Sequence, residues 1–273
     1  MRRYILLYMR GGLGNQLFQI SAARAISRKN DRIIVLTYSV NTDLDTSRHL
    51  SIRENTIRYL IGEDRSCKLI KSRLINKFVY KIIQFLENFR FFERLLIDDL
   101  KINSFLKNEY FGFYILKGWF QSNQLVDFSY NEELPKLEKL TELENIEPKL
   151  IELSQKSLNI HLRLGDFIEN GLPIASKSYY KHNYNAILES FPDLVVNLYS
   201  DEIDSAKEYL SDLVSELEFP ELQRPLNPIE LLIVLSYSRV FIASTSTLAW
   251  WASKYVKNAR NLVYHPFSGA LDF

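Results

Sequence analysis

The chain has little cysteine, glycine or proline. A single cysteine, Cys67, stands among 273 residues, so no internal disulfide can form, and no cluster of cysteines or histidines points to structural zinc. Such a composition suits a reducing, cytoplasmic compartment. Nine glycines and eight prolines are too few for a disordered chain. Charge of one sign is missing too: 34 Lys and Arg meet 33 Asp and Glu, which removes the overall basic footprint of a nucleic-acid binder. No apolar run approaches the roughly 20 residues of a membrane span, and the opening MRRYILLYMRGG has a run of strand length with no small-residue cleavage site. What the chain does have is apolar material, 47% of its residues, enough to core one large domain or two medium ones.

The pattern predicts a strand over residues 4–9, a break at Gly11, Gly12 and Gly14, a helix over 16–29 and a second strand over 32–38. This is a βαβ unit with a glycine turn at the carboxyl end of its first strand, where ligands sit in open α/β sheets. Residues 41–66 read as polar and irregular. A long helix is predicted over 68–100, with Lys68, Lys71, Arg73, Lys77 and Lys81 in its first half and no acid before Glu87. Those lysines and the arginine are open to two readings, a face for a membrane surface or polyanion and a solvated basic face on a packed helix. Residues 111–121, FGFYILKGWFQ, read as an aromatic-rich strand. The glutamate-rich stretch 131–152, with Pro135 and Pro148, reads as a boundary between domains 1–150 and 151–273. Beyond it, strands over 157–162, 194–199, 239–243 and 261–264 alternate with helices over 178–190, 203–210, 228–236 and 247–255. The expected architecture is two α/β halves facing across a cleft.

The chemistry-bearing residues fall at strand ends. Gly11-Gly12-Leu13-Gly14-Asn15 lets backbone approach a ligand closely, and the free N–H groups of a helix start favour an anion. The same residues also suit a tight turn with no ligand, and they match neither GxGxxG nor a P-loop. His161-Leu162-Arg163-Leu164-Gly165-Asp166 follows a strand, so alternation sends His161 and Arg163 to one face at its carboxyl end. An Arg there grips phosphate through two parallel hydrogen bonds, with Asp166 orienting it or accepting a proton; a buried Arg–Asp pair closing a loop is the other reading. Ser200 and Asp201 suit helix capping, and Ser244-Thr245-Ser246-Thr247 suits either a cap or a phosphate. The following Trp250 and Trp251 suit a core. No carboxylate cluster is convincing as a Mg²⁺ site. Tyr38-Ser39 stand where a dinucleotide dehydrogenase needs an acid, and the glycine spacing is wrong for one.

GGLGNQLFQ at 11–19, LKGWFQS at 116–122, HLRLGD at 161–166, YSDE at 199–202 and STSTLAWWA at 244–252 together resemble the bacterial α-1,2-fucosyltransferases of glycosyltransferase family 11. The resemblance spans nearly the whole chain. It implies a GT-B architecture of two Rossmann-like domains, GDP-L-fucose held mainly by the C-terminal one, no cofactor or metal, and inversion at the fucose anomeric carbon. By position it assigns Arg163 to the donor diphosphate and its departure. Donor binding would further involve Gly12, Gly14, Asn15 and Gln16 in the N-terminal loop, with His161, Asp201, Ser246 and Thr247. Glu230 matches, one residue out of register, an acid suited to the guanine N–H groups. Leu164 stands in place of a second Arg, Thr245 in place of Asn and Val240 in place of His.

The resemblance implies transfer of fucose to O2 of a terminal galactose, by direct displacement, with Asp166 the first candidate base and Glu169 the second. It suggests surface-polysaccharide (O-antigen) assembly on a lipid-linked acceptor, giving the basic 68–100 helix a reason for peripheral contact with the inner membrane face. The alternatives are another GDP-sugar transferase of the same fold and a nucleotide-sugar- or glycan-binding protein with weakened catalysis.

Overall fold

The computed structural model describes residues 4–30, 33–38, 54–61, 67–70, 73–87, 95–107, 113–130, 134–211, 226–259 and 261–266. Arg32, Ser39 and residues 41–53, 62–66, 71–72, 88–94, 111–112 and 131–133 of the sequence expectations lie outside these. The chain divides into two compact units, one running to Lys136 and the other beginning at Leu137.

In the first unit the elements run β1 (Tyr4–Met9), α1 (Leu13–Asn30), β2 (Ile33–Tyr38), α2 (Glu54–Ile61), β3 (Cys67–Leu69), α3 (Arg73–Glu87), β4 (Leu96–Ile97), α4 (Ile102–Lys107), β5 (Phe113–Leu116) and α5 (Asn123–Tyr130). The strands form one parallel sheet in the order β3-β2-β1-β5-β4. β1 is central and buried on both faces, which is why YILLYM is apolar without alternation. Leu6 and Tyr8 meet Ile83 of α3, and α1 packs against β1, β2 and α5. The chain leaves β1 in one direction through β2 and β3 and returns on its other side in β4 and then β5, so a switch point lies between β1 and β5.

The predicted 68–100 helix is corrected. Cys67–Leu69 pairs with β2 as a strand, α3 covers only Arg73–Glu87, and Leu96–Ile97 pairs with β5. Strands of two or three residues are too short for periodicity to register, and sheet pairing overrides the local helical pattern there. Residues 54–61, in the stretch read as irregular, form α2.

The second unit runs α6 (Leu137–Glu144), α7 (Pro148–Gln155), β6 (Ser157–Leu162), α8 (Gly165–Glu169), α9 (Lys177–Ser190), β7 (Val195–Ser200), α10 (Ile203–Tyr209), α11 (Pro228–Ser236), β8 (Val240–Ile242), α12 (Thr247–Asn258) and β9 (Leu262–Tyr264). Its sheet is parallel in the order β7-β6-β8-β9. The division falls earlier than residue 150 because the described part of the glutamate-rich stretch holds two helices, both packed on α11. Ser154 in α7 donates to Val234 O (2.6 Å) and accepts from Asn159 in β6 (2.7 Å), tying the stretch to this core. Trp250 and Trp251 pack edge to face, 5.2 Å apart, as core residues.

Candidate functional site

In the second unit β6 lies between β7 and β8, so three of the motifs end side by side at the carboxyl edge of the sheet. The first two interlock. The Arg163 guanidinium meets Asp166 Oδ1 through Nε and Nη2, both at 2.9 Å, and Asp201 Oδ2 through Nε at 3.3 Å. Asp201 Oδ1 also accepts from the Leu164 N–H at 3.0 Å. Gly165 starts α8 and makes this possible: a Cβ there would lie 2.7 Å from Asp201 Oδ2. Arg163 is partly exposed, held from two sides and presenting its remaining N–H groups. Leu164, in place of the resemblance's second Arg, is buried in the unit's core.

The third motif joins through His161. Its Nδ1 lies 2.9 Å from Ser244 Oγ, which donates to Ser246 Oγ (3.1 Å) and accepts from the Ser246 N–H (3.2 Å). Ser244 Oγ has its own proton committed, so the ring nitrogen facing it is the protonated one. Burial first, and then the Arg163 cation, push the His161 pKa down to about 4 against the opposing pull of Asp201. The imidazole is therefore neutral at pH 7 and serves the architecture beneath Arg163. Ser246 caps α12, accepting from the Ala249 N–H at 3.1 Å, and Thr247 begins that helix half-buried. Thr245 donates to Pro173 O at 2.6 Å, tying down the loop after α8.

Glu230 is apart from this cluster in its interactions. It completes a capping box at α11, accepting from the Asn227 N–H at 2.9 Å while Asn227 Oδ1 accepts from the Ile229 and Glu230 N–H groups.

The first unit builds a second cluster at its own switch point, where the turns after β1 and β5 meet. Gly11 has φ +75°, and a Cβ on it would lie 2.8 Å from the Trp119 ring. Gln121 Nε2 donates to Asn15 Oδ1 at 2.6 Å, and Gln16 Nε2 donates to Gly11 O at 2.9 Å. A Cβ on Gly12 would meet nothing within 4 Å, so backbone there is open to close approach. Gly14 is in the first turn of α1. Asp99, just after β4, accepts from the Trp119 N–H at 3.0 Å and also from the Phe120 N–H, shaping the LKGWFQS turn.

Sequence reasoning gave Arg10 and Trp119 no role. The Arg10 guanidinium stacks on the Trp119 ring, 4.2 Å from its centroid, and its buried Nε has no hydrogen-bond partner among the described residues. The signal was a lone Arg ending the apolar run YILLYM just before the glycines. Among the described residues no group of three or more His, Cys, Asp or Glu could hold a metal ion. The chain has one Asp-x-Asp, Asp43-Leu44-Asp45, outside the described residues.

Two parallel-sheet α/β units with their polar turns at the carboxyl strand ends define the class: a protein of the GT-B type, the fold of nucleotide-sugar-dependent fucosyltransferases. In that fold the chain is similar to POFUT1 solved in complex with GDP-fucose, with a TM-score of 0.53 at 14% identity, over 96% of this chain and 97% of that one. In sequence it is similar to the O-antigen biosynthesis glycosyltransferase WbnK of Escherichia coli, 26% identical over 268 residues, 89% of this chain and 87% of that protein. It is also similar to an alpha-1,2-colitosyltransferase of Escherichia coli, 24% identical, over 93% of this chain and 88% of that protein. No protein-family model matches the chain. In sequence the chain is thus similar to glycosyltransferases, and in fold to a fucosyltransferase, in line with the resemblance of its five motifs.

Proposed function

We propose that the protein transfers L-fucose from GDP-L-fucose to the 2-hydroxyl of a terminal galactose in a surface glycan, with inversion and without metal. The observation that carries this reading is Arg163, held by Asp166 and Asp201 at the carboxyl end of β6 with donor groups to spare. A guanidinium fixed in advance stabilises charge as it develops on a departing diphosphate and costs no reorganisation in the reaction. The acceptor oxygen attacks the anomeric carbon, the carbon–oxygen bond to phosphate breaks, and GDP leaves with both electrons of that bond. The hydroxyl proton passes to a base. Both Arg163 contacts to Asp166 favour an orienting role for that carboxylate, and Glu169, exposed on α8, is the second candidate base. In this reading Gly12, Gly14, Asn15 and Gln16 offer open backbone and an amide to the phosphates, and Asp201, His161, Ser246 and Thr247 are further donor-site residues. Glu230 is assigned to the guanine, sharing its carboxylate with the α11 cap.

Transfer from GDP-L-fucose to a panel of β-galactosides with EDTA present, read by mass spectrometry and linkage-resolving NMR, tests this. An α-1,2-fucosylated product supports donor, linkage and metal independence together. GDP-fucose binding without transfer to any galactoside overturns the acceptor assignment. Absence of both binding and transfer overturns the whole reading.

The likeness to a colitosyltransferase favours a second reading, a donor carrying colitose, which is fucose without its 3-hydroxyl. Competition between the two donors in the same assay separates the readings. A site that hydrogen-bonds the 3-hydroxyl rejects the deoxy sugar strongly, because its own polar groups are left unpaired.

A further inference from the structure

Helix α3 has two unlike faces. Val79, Tyr80 and Ile83 pack on Leu6, Tyr8 and Ile115 of the sheet, and buried Asn76 donates to Ile70 O at 2.7 Å. These positions recur at helical spacing and account for its place in the fold. The opposite face carries Leu74, Phe78, Ile82 and Phe85, again one turn apart, and they are 79%, 65%, 39% and 60% exposed. Lys77 and Lys81 are exposed along the flank of this apolar stripe. Large exposed apolar side chains gathered in one patch mark an interaction surface. The lysines select its occupant. A second copy meeting the same face across a twofold axis would set Lys77 and Lys81 against their own kind, whereas lipid phosphates complement them. At 15 residues the helix is roughly 22 Å long, too short and too charged to span a bilayer but suited to lying in its plane. No helix among the described residues is long and apolar enough to cross a membrane.

We propose that α3 docks the protein on an anionic lipid bilayer, with Leu74, Phe78 and Ile82 entering the headgroup boundary and Lys77 and Lys81 meeting lipid phosphates. Of the two readings that the sequence leaves open for this segment, the exposed apolar stripe favours the membrane-facing one. The inference is independent of the donor and acceptor, since it concerns a face remote in role from the strand-end turns.

Flotation of the full chain with vesicles of phosphatidylcholine, alone or mixed with phosphatidylglycerol, tests it. The chain is expected to float with the mixed vesicles and not with the neutral ones, and high salt is expected to weaken the binding. Lys77→Gln with Lys81→Gln should lower affinity by about 25-fold, from about fivefold per lysine near an anionic surface. Leu74→Glu with Phe78→Glu should lower it at least about tenfold. All four positions are exposed, so thermal melting should show the variants folded. Equal flotation with both vesicle types, or wild-type flotation of both double variants, overturns the proposal. So does a wild-type dimer in sedimentation that Leu74→Glu with Phe78→Glu dissociates while no vesicle is bound.

Discussion

Asp201 occupies the space that a side chain at residue 165 would need, its Oδ2 lying 2.7 Å from the Cβ position of Gly165. The same carboxylate holds Arg163 and the Leu164 N–H, so two motifs far apart in the chain depend on one missing methyl group. Gly165→Ala is expected to push Asp201 off both partners, costing about 1–3 kcal/mol of stability. GDP affinity in titration calorimetry should fall at least about tenfold, the scale of one lost charge-assisted contact. Unchanged affinity would show that Asp201 does not set the Arg163 position.

Arg163 and Asp166 can be separated by kinetics. Arg163→Lys keeps a charge but loses the planar fork, so kcat should drop about 10²–10³-fold. Asp166→Asn keeps a hydrogen-bond acceptor for Arg163. If Asp166 only orients Arg163, the variant lowers kcat modestly and leaves the shape of the pH–rate profile intact; loss of the acidic limb of that profile would instead make Asp166 the base.

His161 sets a pH dependence of stability. Its pKa is about 4 in the fold and about 6.5 in an unfolded chain, so the unfolded state binds the extra proton between those values. Stability is therefore whole above about pH 6.5 and is lost as pH falls toward 4, by about 3 kcal/mol in all. Chemical denaturation across that window should show the slope, and His161→Asn, which keeps a donor for Ser244, should flatten it. An equal slope in the variant would assign it to other groups.

Gly11 makes the matching test in the first unit. Its φ of +75° and its approach to Trp119 both disfavour a side chain. Gly11→Ala is expected to destabilise by about 1–3 kcal/mol and to lift Trp119, changing its fluorescence. A stable variant with unchanged emission would show that the turn does not rely on this contact.

The strand-turn-helix rhythm was legible because central parallel strands are apolar throughout and helices carry a 3.6 period; 4–9, 157–162 and 228–236 agree with β1, β6 and α11. It failed at 68–100, where the strands β3 and β4 take only three and two residues and owe their existence to neighbours. It failed again at 131–152, where Glu138, Glu142 and Glu152 face solvent on helices whose burial rests on a few residues such as Leu140, Glu144 and Ser154. The candidate residues of 161–166, 199–202 and 244–247 were found as motifs because glycine, arginine and hydroxyl residues gather at strand ends, where a cap or a ligand can use them. Their mutual bonds were not legible, since nothing local says that Asp201 rather than Asp166 alone holds Arg163.

Sequence by itself determined the α/β character, because periodicity is a local property that survives without coordinates, and its ordered motifs carried the resemblance that implied the GT-B type. Tertiary structure alone decided which groups meet: Asp201 with Gly165, His161 with Ser244, Arg10 with Trp119. It also decided which face of α3 is left to solvent. Strand order brings together residues that the chain keeps far apart, and burial depends on what the sheet offers a helix to pack against.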